Sequence, residues 1–228
     1  MLKLFHNWKK QKPMESFTFN YRSKSNVLNT LCKKFGCDKG LFDGSHRYFS
    51  WAPHSYTDLY YFLFSNQRKS IKKVFELGIG TNKVFNDKLR RKSLPGASLR
   101  VWKEFFFNAK IYGADIDENT LFQENRIKTY IVNQFSQKSI KGMWQKINLK
   151  EFDLIIDDGC HQFDGTINFF SNSIKFLSKS GLYIIEDIFH KDKEKYTNFF
   201  EEKRFNYFFV ELSSQKNSKD NNLLIIQK

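Results

Sequence analysis

A chain of 228 residues, 40% hydrophobic and 27% charged, carries enough apolar mass for one packed domain. Its 26 Phe, 11 Gly and 3 Pro exclude a collagen-like or wholly disordered polymer. Lys and Arg number 38 against 24 Asp and Glu, a formal net charge of +14, distributed as +7 over residues 1–40, +10 over 41–150 and −3 over 151–228. Such an excess favours an anionic partner (RNA, a nucleotide-linked substrate or an acidic surface) or simply solvates a lysine-rich surface. Apolar runs such as Asp153–Asp157 and Gly181–Glu186 stop at a carboxylate after a few residues, far short of a membrane span. The N-terminus is basic but lacks a following apolar run and a small-residue cleavage site, so the expected location is cytoplasmic. Cys32, Cys37 and Cys160 are odd in number and lack a second Cys/His pair, which predicts reduced, packing thiols rather than a zinc site.

Residues 1–50 show no clean period, and a basic segment or helical arm over 1–55 is expected in front of a domain at 56–228. Tyr56, Leu59, Tyr60, Phe62 and Leu63 recur at helical spacing through Tyr56–Phe64. The next apolar segment, Val74–Gly78, reads as a buried strand entering a glycine turn. A polar stretch, Thr81–Ser93, contains the one dense basic cluster, Lys88–Lys92, and reads as a loop; Pro95-Gly96 then opens a helix over Leu99–Phe106. Strand Lys110–Asp115, helix Asn119–Ile127, strand Thr129–Asn133, helix Gln137–Gln145, strand Phe152–Asp157, helix Gly165–Leu177 and strand Leu182–Glu186 follow. The tail, Phe205–Leu212 and Leu223–Gln227 around polar Ser213–Asn222, reads as a hairpin. The fold class expected is α/β: a Rossmann-like, seven-stranded, mostly parallel sheet, helices on both faces, closed by a C-terminal antiparallel hairpin.

In an open α/β sheet, ligands bind beyond the carboxyl ends of the strands. Those ends are acidic here: Glu76 with Gly78 and Gly80, Asp115, Asn133-Gln134, Asp157-Asp158 and Glu186-Asp187. Gly78 and Gly80 let a ligand approach the backbone, and Asp115 one strand over is placed to accept ribose hydroxyls. Lys83 stands where a dinucleotide fingerprint wants its third glycine, so a nucleoside without pyrophosphate is favoured, and S-adenosylmethionine fits. Asp158, Glu186 and Asp187 converge without evident lysine partners, which is costly unless a cation neutralises them; an all-oxygen set points to Mg²⁺, Mn²⁺ or Ca²⁺. His161, three residues after Asp158, can reach the same space and suits a general base near neutral pH.

The segments Val74–Gly80, Ile111–Asp117, Phe152–His161 and Gly181–Asp187 resemble the class I S-adenosylmethionine-dependent methyltransferases. The likeness is nearest to the metal-dependent sugar O-methyltransferases of macrolide and rhamnosyl tailoring and their cephalosporin-hydroxylase-type relatives, and extends from about Asp38 to the C-terminus. Asp38-Lys39-Gly40 and His54-Ser55-Tyr56 are similar to the family's segment before the first strand, which closes the cofactor site. The resemblance implies an S-adenosylmethionine-binding domain at 56–228, with Glu76, Gly78, Gly80, Asp115, Asn133, Gln134, Asp157 and Tyr56 at the cofactor. It implies Asp158, Glu186 and Asp187 on Mg²⁺ (or Mn²⁺), and His161 with Asp158 as the catalytic pair. Asn133 stands where many relatives carry Asp.

The reaction expected is methyl transfer to a sugar hydroxyl, the acceptor being a small-molecule sugar, a nucleotide-sugar or a glycan or natural-product sugar, as in polysaccharide biosynthesis. Two alternatives stay open, an RNA methyltransferase suggested by the charge and a non-catalytic S-adenosylmethionine-binding subunit. Against nucleic acid, no RNA-binding accessory segment is evident and the carboxylate cluster would be unexplained. The Phe-rich N-terminal segment suits either a homo-oligomer interface or the core.

Overall fold

A computed structural model describes residues 16–19, 26–40, 54–80, 94–212 and 220–228. The polar stretch 81–93 with its Lys88–Lys92 cluster, the extreme N-terminus and residues 213–219 lie outside the described residues. In chain order the elements are β1 (Ser16–Phe19), α1 (Val27–Phe35), α2 (Tyr56–Phe64), β2 (Lys73–Leu77), α3 (Ala97–Phe105) and β3 (Lys110–Asp115). There follow β4 (Gln123–Glu124), β5 (Ile127–Ile131), α4 (Gln137–Ile147), β6 (Phe152–Asp157), α5 (Phe163–Ser173), β7 (Leu177–Ile185), α6 (Lys193–Glu202), β8 (Asn206–Leu212) and β9 (Asn222–Gln227).

The strands form one mixed, mostly parallel sheet in the order β1-β8-β9-β7-β6-β2-β3-β5-β4. Where seven strands are expected from the sequence, the described residues form nine. The additions are both at edges: β1, running parallel to β8, and the two-residue β4, antiparallel to β5. β1 is a four-residue Ser-Phe-Thr-Phe alternation inside a polar segment, too short to stand out; Phe17 packs near Phe208 and Phe19 near Phe62, with ring centroids 5.6 and 5.5 Å apart. β8 and β9 pair antiparallel, and β9 also runs antiparallel to β7.

A helix over Asn119–Ile127 does not form. Glu118–Thr120 makes a single 3₁₀ turn capped by the Asp117 side chain, and the chain then turns into β4. Two contacts hold it. The backbone N–H of Phe122 donates to Thr129 Oγ1 at 2.6 Å, and Arg126, at φ +64°, sends its guanidinium to the carbonyls of Lys103, Phe106 and Ala109. Those acceptors lie at and beyond the C-terminus of α3, where carbonyls have no helical partner. A helix at 119–127 would take this cap away. Conversely, α6 escaped the sequence reading, because it buries only Tyr196 and Phe200, one turn apart, in an otherwise polar run.

Alternation along the strands builds two cores. Val74, Ile111, Leu154, Ile156, Ile184 and Ile225 face α1, α2 and α3, while Phe75, Tyr112, Ile155, Tyr183, Ile185 and Ile226 face α4, α5 and α6. Helices therefore cover both faces, as a largely parallel sheet requires. On the first face the order of α1 and α2 is set by Asn26. Its side chain caps α1 by accepting from Leu28 N–H, and its Nδ2 donates to the Thr57 carbonyl at 2.9 Å and to Asp58 at 3.0 Å. Gly36, at φ +73°, ends α1 in the left-handed conformation and directs residues 37–40 toward the sheet's carboxyl edge. Cys32 and Cys37 are buried free thiols in this core, and Cys160 is also free. Among the described residues no helix is long and apolar enough to cross a membrane.

Candidate active site

Strand register assembles the site. Glu76 lies level with Gly113 of β3 and Ile156 of β6, and Ile156 with Ile184 of β7, a row on the face of α1 to α3. The next row, Ala114, Leu77, Asp157 and Ile185, faces the other way. One residue further, Asp115, Gly78, Asp158 and Glu186 return to the first face at the carboxyl edge. Four neighbouring strands thus deliver Glu76, Asp115, Asp158 and Glu186 to one side of the sheet.

The turn after β2 is held open by backbone geometry. Gly78 N–H donates to the Ala114 carbonyl at 2.8 Å, Ile79 N–H donates to Asp115 Oδ2 at 2.9 Å, and Asp158 N–H donates to the Leu77 carbonyl at 2.9 Å. Gly78 has φ +82°, and a Cβ there would sit 1.9 Å from the Asp158 carbonyl oxygen, so only glycine fits. Gly80 also has φ +80°. Asp115 Oδ1 accepts from Asp117 N–H, leaving each of its oxygens a further lone pair. Asn133 is exposed and closes its own turn by accepting from Phe135 N–H, whereas Gln134 is buried, its Oε1 accepting from Cys160 N–H at 2.7 Å and its Nε2 unpartnered.

The carboxylates divide into two overlapping groups. In the inner one, Glu76, Asp158 and Glu186 surround the ammonium of Lys39, whose side chain is 3% exposed. Lys39 Nζ is 2.5 Å from Asp158 Oδ2, bonded to Glu186 Oε2 and 3.1 Å from Glu76 Oε1. Tyr60 donates to Glu186 Oε1 at 2.6 Å and Trp102 Nε1 donates to Glu76 Oε2 at 2.8 Å. Burial pushes both Glu76 and Glu186 up, against the pull of Lys39. Burial alone would lower Lys39, but the charges of Asp158, Glu186 and Glu76 outweigh it and keep the ammonium charged. The expectation of carboxylates without a lysine partner is therefore corrected: a lysine 119 residues before Asp158 supplies one cation.

In the outer group, Asp158, His161 and Asp187 come together nearer solvent. His161 Nε2 is 3.6 Å from Asp187 Oδ2 and 3.9 Å from Asp158 Oδ1, with the imidazole 34% exposed. His161 at φ +52° and Asp187 at φ +56° both take a left-handed backbone that non-glycine residues seldom adopt. Such strain collects at functional sites. Tyr56 donates its phenolic proton to Asp187 Oδ1, and His54, stacked on Tyr56 with ring centroids 4.5 Å apart, has its Nε2 3.5 Å from the same oxygen. Asp187 is raised by burial, with His54 acting in the opposite direction.

Of the residues singled out from sequence, Glu76, Gly78, Gly80, Asp115, Asp158, His161, Glu186, Asp187 and Tyr56 are thus gathered at one edge. Asp157 stands apart. It shares its row with apolar Leu77 and Ile185, its Oδ2 is buried without a partner, and burial pushes its carboxyl up to about 7. The predicted trio Asp158, Glu186 and Asp187 is also split, since Glu186 turns inward to Lys39 and Tyr60 while Asp187 turns to His161, Tyr56 and His54; Asp158 belongs to both groups. Sequence reasoning missed Lys39, Tyr60, His54 and Trp102 as site residues. For the first and third the one signal was their place in the Asp38–Gly40 and His54–Tyr56 segments.

No family model matches the chain. Over 138 residues, 60% of the chain, it is 31% identical to 8-demethyl-8-alpha-L-rhamnosyl tetracenomycin-C 2'-O-methyltransferase of Streptomyces olivaceus. Over 151 residues, 65% of the chain, it is 31% identical to mycinamicin VI 2''-O-methyltransferase of Micromonospora griseorubida. The chain is a relative of sugar O-methyltransferases. It spans about a third of their length, 34% and 36% respectively. Among solved structures, the MycE methyltransferase of the mycinamycin pathway in complex with Mg and SAH aligns with a TM-score of 0.55 at 26% identity, covering 72% of this chain and 38% of that one. A second crystal form of MycE aligns over 90% of this chain and 54% of that one with a TM-score of 0.61 at 20% identity, a likeness of fold. The arrangement of helices and sheet is thus that of S-adenosylmethionine-dependent methyltransferases.

The residues present fit both groups that these relatives bring to mind. For a nucleoside cofactor there is a glycine turn that no side chain could occupy and, one strand over, a carboxylate with lone pairs to spare. For a divalent cation there are two overlapping donor groups that share Asp158, the all-oxygen Glu76, Asp158 and Glu186, with the single ammonium of Lys39 among them, and the outer Asp158, His161 and Asp187.

Proposed function

We propose that the chain is an S-adenosylmethionine-dependent O-methyltransferase acting on a sugar hydroxyl, with residues 56–228 as its catalytic domain and 1–55 as a segment that closes it. The supporting observation is the placement of His161 at the strand-end row, flanked by Asp158 and Asp187 and partly open to solvent. When bound, S-adenosylmethionine supplies the methyl group and a divalent cation supplies positive charge beside the acceptor oxygen.

The chain's own residues do the rest. A sugar hydroxyl is scarcely ionised at neutral pH, so its proton must leave as its oxygen attacks. His161 Nε2 accepts that proton, and the carboxylates of Asp187 and Asp158 stabilise the imidazolium that results. Asp115 holds the ribose hydroxyls, and Gly78 and Gly80 admit the ligand to the backbone. Glu76 faces the cofactor's cationic end, while Asn133 and Gln134 border the adenine. Asp158, Glu186 and Asp187 would hold Mg²⁺ or Mn²⁺. Fixing acceptor and donor in line supplies much of the remaining rate. The acceptor class is a small-molecule sugar, free, nucleotide-linked or carried on a natural product.

The test is methyl transfer from labelled S-adenosylmethionine to a panel of nucleotide-sugars and glycosylated small molecules, with and without Mg²⁺. Wild type should methylate at least one sugar in a Mg²⁺-dependent way. His161→Ala should lose about a hundredfold or more in turnover and keep its S-adenosylhomocysteine affinity within about twofold. Near-full turnover in His161→Ala on the acceptor that wild type uses would sink the assigned base.

A further inference from the structure

Two of the three carboxylates assigned above to a divalent ion, Asp158 and Glu186, already share a cation. It is the Lys39 ammonium, and a divalent ion bound through the same oxygens, at about 2.0–2.6 Å, would meet it at a separation where two buried positive charges repel strongly. Ion and ammonium cannot hold the same oxygens together.

The surroundings leave the ammonium another partner. Glu76 Oε1 is fully buried and already ion-paired with Lys39 Nζ at 3.1 Å, while Glu76 Oε2 is fixed by Trp102. The Lys39 backbone is fastened on both sides, the Asp38 carbonyl accepting from His54 N–H at 2.9 Å and the Lys39 carbonyl accepting from Thr57 N–H at 3.1 Å. Only the four-carbon side chain needs to swing.

We propose that Lys39 is an exchangeable internal cation: its ammonium holds Asp158 and Glu186 together in the ion's absence and yields them when a divalent ion binds, keeping only its pairing with Glu76. Lys39 is then a positioning residue, and it sets the ion affinity of the site. This inference rests on the metal reading above. It goes beyond that reading in making the segment before β2 an antagonist of ion binding rather than only a cover.

The experiment is calorimetric titration of metal-free protein with Mn²⁺ alone, comparing wild type, Lys39→Met and Asp158→Asn. Wild type should bind, Asp158→Asn should lose binding, and Lys39→Met should bind at least about tenfold more tightly, within the usual range for coupled sites. Equal or weaker Mn²⁺ binding by folded Lys39→Met, with wild type binding and Asp158→Asn not, overturns the exchange and leaves the metal reading standing. Absence of Mn²⁺ binding in every form overturns both. If Lys39→Met is unfolded without metal, Mn²⁺ should restore its circular dichroism and cooperative melting, because the ion takes the ammonium's place; failure of saturating Mn²⁺ to do so overturns the exchange.

Discussion

Tyr56 and Asp187, 131 residues apart, close a reciprocal pair: the phenol donates to Asp187 Oδ1 and its oxygen accepts from Asp187 N–H at 3.2 Å. The first residue of α2 thereby fixes both the side chain and the strained backbone of a carboxylate beside His161. The Asp220 carbonyl lies 2.9 Å from the same hydroxyl, so the start of β9 is drawn into the arrangement. Burial pushes the Tyr56 phenol well above its ordinary range, with Asp187 and Glu186 adding to the effect, so it acts as a donor throughout the working pH range.

Tyr56→Phe should therefore cost about 1–3 kcal/mol, the usual penalty for leaving buried polar groups without their partner. Urea denaturation of metal-free protein measures it. A change below about 0.3 kcal/mol would show that water replaces the phenol and that the pair does not position Asp187.

Gly78→Ala tests the turn proposed to admit the cofactor. The added Cβ meets backbone rather than a movable side chain, at 1.9 Å from the Asp158 carbonyl oxygen, in a conformation that alanine resists. A loss of at least about 2–3 kcal/mol in stability is expected, together with loss of S-adenosylhomocysteine binding in whatever folds. A variant with wild-type melting and affinity would mean that the turn between β2 and α3 re-forms freely.

A surface group gives the pH prediction. Glu124 of β4 accepts from Arg100 of α3 at 2.8 and 2.7 Å, with Lys103 3.4 Å away, and Arg100 also lies over the Phe122 ring. Partial burial raises Glu124, but the hydrogen bonds and charges of Arg100 and Lys103 outweigh it and hold the carboxyl below its ordinary value. A folded-state value below the unfolded one stabilises the protein above the unfolded pKa, about 4.3, and that contribution is lost as pH falls through the folded value. The Glu124 side chain is 34% exposed, so solvent screening leaves the pair worth only about 0.5 kcal/mol. Wild type should exceed Glu124→Gln by that amount at pH 7 and converge with it only once pH has fallen through the lowered folded-state value. A gap that widens on acidification would reverse the assigned sign.

The inner strands β2, β3, β6 and β7 were legible because Val74–Leu77, Ile111–Asp115, Leu154–Asp157 and Leu182–Ile185 are short runs, largely apolar, that lead to a carboxylate or a turn glycine, a pattern that strands buried on both faces show. The strand-end acids were legible for the same reason. β4 was not, because two residues carry no period, and the helical reading of 119–127 lost to tertiary capping by Arg126. Tyr60 and Trp102 fall inside the helices expected over Tyr56–Phe64 and Leu99–Phe106, but nothing local marks their polar tips as partners of Glu186 and Glu76. Lys39 was the hardest to foresee. A lysine in a basic segment is ordinarily a solvated surface charge, and its burial depends on the meeting of α1's exit with three strand ends distant in the chain.

Calorimetric titration of S-adenosylhomocysteine into wild type and Asp115→Ala tests whether the Asp115–Gly78–Asp158–Glu186 edge receives a nucleoside cofactor. Asp115 carries the ribose in this account, so wild type should bind one equivalent and Asp115→Ala should bind at least about tenfold more weakly, the worth of a charge-assisted hydrogen-bond pair, with circular dichroism unchanged. No binding by wild type, or equal affinity in folded Asp115→Ala, would contradict it.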